Sequence, residues 1–126
     1  MRYLSFLDAV LLHIELMQQL REQRYGVFDR ALIESALARP QQAAAYESAD
    51  LHRQAATLCF GLIKNHPWTG GNKRTATYLT QIFLRENGWR VTDTARERIE
   101  MVLAIESDSF SIDDIEHWYR THSQPQ

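Results

Sequence analysis

The chain has 126 residues, 44% hydrophobic and 24% charged, with a formal net charge of -2 at pH 7. That length suits one domain with its own core, expected over residues 1–126. The charge argues against a protein whose main work is phosphate-directed nucleic-acid binding. With 5 glycines and 3 prolines, turn material is scarce, so long helices are expected rather than many short strands.

The first helix is expected to start at Ser5, with Asp8 three residues on as a cap. Leu4, Leu7, Leu11, Ile14 and Met17 recur at three- and four-residue steps and form its apolar stripe. It should fade near Tyr25 and Gly26, where Gly26 can turn left-handed. A second helix is expected over Asp29 to Ala38. Asp29 is its N-cap, Leu32, Ile33, Ala36 and Leu37 its buried side, and Pro40 its end. Gln41 to Tyr46 reads either as helix or as a mobile flap. A third helix, about Ser48 to Asn65, carries Leu51, Ala55, Leu58, Leu62 and Ile63 and is expected to be central. Pro67 stops it by driving His66 out of the helical region.

The fourth helix is expected from Gly71–Asn72 to Asn87–Gly88, with Ala76, Leu79, Ile82 and Phe83 facing inward. Trp89 to Thr92 reads as a short extended piece. Thr94 with Glu97, and Ser111 with Asp114, form capping boxes for a fifth and a sixth helix. His122 to Gln126 is polar and expected to fray. The architecture expected is all-α, a compact bundle of about six helices.

Several function classes lose support. The run FLDAVLLHIELM is interrupted by Asp8, His13 and Glu15 and is too polar to span a membrane. No secretory leader is visible, so a cytoplasmic location is expected. The lone Cys59 reads as a buried core thiol in a reducing compartment. His13 and Met17 share a helix face, but His13, His52, His117 and His122 are scattered, so no metal site is expected. Trp118 and Tyr119 read as core or partner contacts. The last two helices imitate a helix-turn-helix, but the supposed recognition helix is acidic, which opposes DNA. The Arg and His pair that small helical ribonucleases carry on one helix is absent.

The unusual chemistry lies in NHPWTGGNKRTA, Asn65 to Ala76. A helix start exposes unpaired N–H groups and a partial positive charge, a ready anion site. Gly70 and Gly71 let backbone bend around a phosphate. Asn72, Lys73 and Arg74 add donors and charge on the first turn. Cations there oppose the helix dipole at roughly 0.3–1 kcal/mol each, a cost that a bound anion would offset. His66, across the loop, is a candidate general base. The residues alone leave two readings open: phosphate binding beside a base, or a polar loop with chance charges.

The loop resembles the signature of the Fic/Doc family in its death-on-curing (Doc) toxin branch. The branch pattern is His-Pro-Phe, any residue, Asp-Gly-Asn-Lys-Arg-Thr-Ala. It is met at His66, Pro67, Gly71, Asn72, Lys73, Arg74, Thr75 and Ala76, with Trp68 as the aromatic. ALIESALARPQ before it and FLRENG after it read like Doc flanks, so the resemblance spans about Asp29 to Val91.

The resemblance implies roles. His66 would deprotonate a target hydroxyl. Asn72 and Arg74 would hold phosphates, with N–H groups near Gly71 and Asn72 completing the cradle. Trp68 would anchor the loop in the core. Lys73 stands where AMP-transferring relatives have glycine, and Thr77 and Tyr78 stand about where those relatives keep a second arginine. In the Doc branch this goes with phosphorylation of a serine or threonine by ATP. The implied target is a translation factor, typically elongation factor Tu. The implied partner is an antitoxin whose C-terminal segment folds as a helix into a groove beside the loop.

One departure stands out. Gly70 replaces the aspartate or glutamate that normally binds Mg²⁺, an ion that wants hard oxygen ligands. Mg²⁺ would then rest on phosphates and water, on Thr69, or on a carboxylate from elsewhere such as Glu47 or Asp50. The alternatives to a kinase are a weakened or silent binding protein and a protein nucleotidyltransferase (AMP transfer).

Overall fold

The computed structural model describes residues 1–126. In chain order the elements are α1 (Phe6–Gln19), α2 (Arg30–Glu47), α3 (Leu51–Asn65), α4 (Asn72–Glu86), β1 (Trp89–Val91), α5 (Ala95–Glu106), α6 (Ile112–Thr121) and β2 (Ser123–Pro125). The fold is mostly helical, as expected, with one small ribbon added. All three capping boxes form: Ser5 with Asp8, Thr94 with Glu97, and Ser111 with Asp114.

α3 is central because nearly its whole circumference is apolar or small. Every side chain from Gln54 to Cys59 is buried, and so are Gly61, Leu62 and Ile63. α2, α4, α5 and α6 all pack on it. Leu58 and Leu62 join Ile33, Leu79, Phe83, Met101, Ile105 and Ile115 in one core cluster. Each such side chain contributes roughly 1.5–3 kcal/mol by leaving water. Cys59 lies in this core, where burial pushes its thiol up to about 11, so it is inert at neutral pH. Trp118 and Tyr119 are core residues too.

Five expectations need correction. Leu7 and Leu11 lie on the outer face of α1, 63% and 57% exposed, while Ala9, His13 and Met17 face inward. The spacing gave a stripe, but a buried histidine marks the inner side. α1 also ends at Gln19 rather than near Gly26. Arg21 takes the left-handed turn at φ 56°, and Glu22 N–H closes on the Met17 carbonyl at 2.9 Å.

α2 runs through Pro40 to Glu47, so the ambiguous Gln41–Tyr46 stretch is helix. Proline inside a helix costs about 3 kcal/mol. Here Pro40 sits on the buried stripe of Ala36, Leu37 and Ala43, and the residues after it include good helix formers. The tail does not fray. β2 pairs antiparallel with β1, Arg90 opposite Gln124, and Gln126 N–H bonds the Gly88 carbonyl at 2.9 Å. Finally, α3 starts at Leu51, later than Ser48, because Asp50 caps it by accepting the Arg53 N–H at 3.1 Å. No helix is long and apolar enough to cross a membrane.

Candidate functional site

The loop between α3 and α4 is held from several sides. Asn65 closes α3 and donates from Nδ2 to the Leu32 carbonyl of α2 at 3.0 Å. His66 then turns left-handed, φ 46° and ψ 54°, and its side chain is 57% exposed. Non-glycine residues rarely adopt this conformation, and they cluster at functional sites. The Pro67 carbonyl accepts N–H bonds from Phe28 (3.0 Å) and Asp29 (3.1 Å). Thr69 N–H donates to the Gly26 carbonyl at 2.9 Å, and Val27 bridges Trp68 antiparallel. Residues 24–29 thus lie along the loop like a short edge strand. Trp68 is only 2% exposed and anchors the loop in the core.

α4 begins differently from the other five helices. Those five carry a side-chain cap at Ser5, Asp29, Asp50, Thr94 or Ser111. α4 has Gly71 at its N-cap, left-handed at φ 69°, with no side-chain cap bond. Its first N–H groups have no intrahelical acceptor, and an anion would satisfy them. Glycine suits position 71 on two counts: its φ of 69°, and the Met17 sulfur, which a Cβ would meet at 2.4 Å so that the Met17 side chain would have to shift.

The expected site residues fall into different places. Lys73 and Arg74 are exposed on the first turn of α4. They border a groove of about 480 Å³ that continues over Thr77 and Tyr78 to Leu16 of α1, Leu20 just after it, and Ile99, Val102 and Leu103 of α5. Arg98 lies at its edge. The Asn72 side chain is engaged by the loop itself. Its Oδ1 accepts the Trp68 N–H and its Nδ2 donates to the Trp68 carbonyl, both at 2.9 Å. What Asn72 leaves for an anion is chiefly its backbone N–H.

Sequence reasoning missed two residues that meet this site. Glu106, the last residue of α5, places Oε1 3.4 Å from Lys73 Nζ and Oε2 4.0 Å from His66 Nε2. A carboxylate in the last turn of a helix opposes the dipole, which was the one available signal. His13 was seen only as a face-sharing histidine. It is fully buried and stacks on Trp68, with ring centroids 4.0 Å apart and planes at 14°.

Position 70 is closed. A Cβ on Gly70 would sit 2.3 Å from the Arg24 carbonyl oxygen. Neither suggested substitute carboxylate reaches the loop. Glu47 pairs with Arg53 at 3.1 Å, while Asp50 caps α3 and pairs with Arg120 at 2.5 Å. Both lie near the start of α3, a helix length of roughly 22 Å from His66. No group of three or more His, Cys, Asp or Glu side chains is arranged to hold a metal ion. Gly70, Glu47 and Asp50 thus offer Mg²⁺ no carboxylate at the loop, and the carboxylate that does reach it, Glu106, is paired with Lys73.

An exposed imidazole across from an uncapped helix start with two cations can take a proton beside a bound phosphate. No curated protein matches the chain. The model of the Fic/DOC family matches residues 3–84, from just before α1 to Leu84 of α4, which takes in His13 as well as the whole loop. With the match covering well over half its length, the chain belongs to the Fic/DOC family.

Proposed function

We propose that the chain is a Doc-type toxin that transfers the γ-phosphoryl group of ATP to a serine or threonine hydroxyl of a translation factor, with elongation factor Tu as the expected target. The observation that carries this reading is the pairing of an uncapped α4 N-terminus with His66 held left-handed beside it. In the proposed step the hydroxyl oxygen attacks the γ-phosphorus and its proton passes to His66. The bond to the β-phosphate oxygen breaks and ADP leaves. The α4 N–H groups, Lys73 and Arg74 would carry the phosphate charge. Lys73 supports phosphate rather than AMP transfer, because its long side chain takes up the room a second phosphate subsite would need. Thr77 and Tyr78, not an arginine, line the adjoining groove.

The antitoxin reading fits the same face. The groove is apolar through Leu16, Leu20, Ile99, Val102 and Leu103 and is bordered by Lys73, Arg74 and Arg98. An amphipathic helix with acidic residues on its rim would complement it. Such a helix would also cover the cations of the cradle.

A second reading, a silent binding protein, is favoured by the closure of position 70 against Arg24. Incubating the chain with ATP and purified elongation factor Tu, then weighing the factor by mass spectrometry, separates the possibilities. Phosphorylation adds the mass of one phosphoryl group, nucleotidyl transfer adds AMP, and an unchanged mass supports the silent protein.

A further inference from the structure

We propose that His13 is a positioning residue for the phosphate cradle: neutral, with its proton on Nδ1, it locks the 24–28 segment, the loop and the first turn of α4 into one arrangement. The inference rests on the reading of α4's start as a phosphate site. The Gly26 backbone N–H donates to His13 Nε2 at 3.0 Å. That nitrogen therefore carries no proton. The neutral ring holds its proton on Nδ1, which donates to Thr75 Oγ1 at 2.8 Å. Burial, which lowers the His13 pKa to about 4, keeps the ring neutral near physiological pH.

Each partner shapes the cradle from a different side. Thr75 is fully buried in the first turn of α4, and its N–H bonds the Gly71 carbonyl at 2.9 Å. Gly26 passes the constraint on, since its carbonyl accepts the Thr69 N–H. Two residues earlier, the Arg24 carbonyl lies against Gly70. The ring face lies flat on Trp68. One imidazole thus reaches both ends of the Trp68–Thr75 turn from inside the core, with no exposed surface of its own. Phenylalanine would keep the stacking and lose both bonds. Glutamine can keep an acceptor for Gly26, and asparagine a donor for Thr75.

The test uses the whole chain and ATP as the probe. Ring ¹⁵N shifts of the wild type near pH 7.5 should show Nδ1 protonated and Nε2 bare; a proton on Nε2 overturns the lock. His13→Phe should bind ATP roughly tenfold more weakly and shift the Thr69–Arg74 amide resonances, with part of the affinity returned in His13→Gln. Leu62→Ala, a core change of larger stability cost, should leave both readouts near wild type and so separates positioning from general loosening. His13→Phe binding ATP as well as wild type, with the loop amides unmoved, overturns the proposal. Should His13→Phe not fold, His13→Gln and His13→Asn are judged on the same readouts. If the wild type binds no ATP, the phosphate reading fails, and the ring proton and loop amides still decide the lock.

Discussion

Restoring a side chain at position 70 is the most direct challenge to the loop geometry. Gly70→Ala adds only a Cβ, yet that atom would lie 2.3 Å from the Arg24 carbonyl oxygen and 3.2 Å from its carbon. An ordinary contact needs about 1 Å more. The Arg24 backbone is not free to retreat, because the segment is tied by Gly26 N–H to His13, Thr69 N–H to Gly26, and Phe28 and Asp29 N–H to Pro67. Overpacking of this kind costs about 1–3 kcal/mol. For a domain of this size the melting temperature should fall by roughly 4–15 °C. Gly70→Asp carries the same clash, so restoring the usual carboxylate should first destabilise the loop. Urea unfolding of wild type, Gly70→Ala and Gly70→Asp measures this, with Thr69→Ala as an exposed neighbouring control. A Gly70→Ala stability within about 0.5 kcal/mol of wild type would refute the close approach of Arg24 and with it the locked segment.

Other perturbations have defined outcomes. His13 has a folded-state pKa of about 4 against an ordinary 6.5, so its stabilisation is full above pH 6.5 and is lost as pH falls toward 4. That amounts to about 3 kcal/mol at most; urea unfolding across this range should show the decline in wild type and a flatter profile in His13→Gln. Asn72→Ala leaves the Trp68 N–H and carbonyl without their 2.9 Å partners and should cost about 2–4 kcal/mol in chemical unfolding; a loss under about 0.5 kcal/mol contradicts the staple. Glu106→Gln frees Lys73 from its carboxylate, so ATP should bind about two- to fivefold more tightly by calorimetry, since the pair is partly exposed. Weaker binding would mean that Glu106 supports the site rather than competing with it.

What the sequence made legible was local. Ser5, Thr94 and Ser111 each announce a helix start through a partner three residues away, and all three boxes form. The double glycine announced a turn, and Gly71 is left-handed there. Pro40 was misread because a local helix-breaking rule was outweighed by the buried face it completes. The β1–β2 pairing joins residues more than thirty positions apart, which no window along the tail reveals. The same holds for the site's unforeseen partners: Thr75 lies 62 residues from His13, and Glu106 comes from a different helix than either cation or base. Gly70 looked like a missing ligand in one dimension. In three dimensions it is also a place where another backbone arrives.

The central claim, that His66 is the base of a phosphoryl transfer, is tested most directly by single-turnover labelling of elongation factor Tu with ATP labelled at the γ-phosphate. Wild type should transfer the label to a serine or threonine, and His66→Ala should be slower by roughly 10²–10⁴-fold while its unfolding stays near wild type. Labelling by His66→Ala at the wild-type rate, or transfer of label only when ATP carries it on the α-phosphate instead, would contradict it.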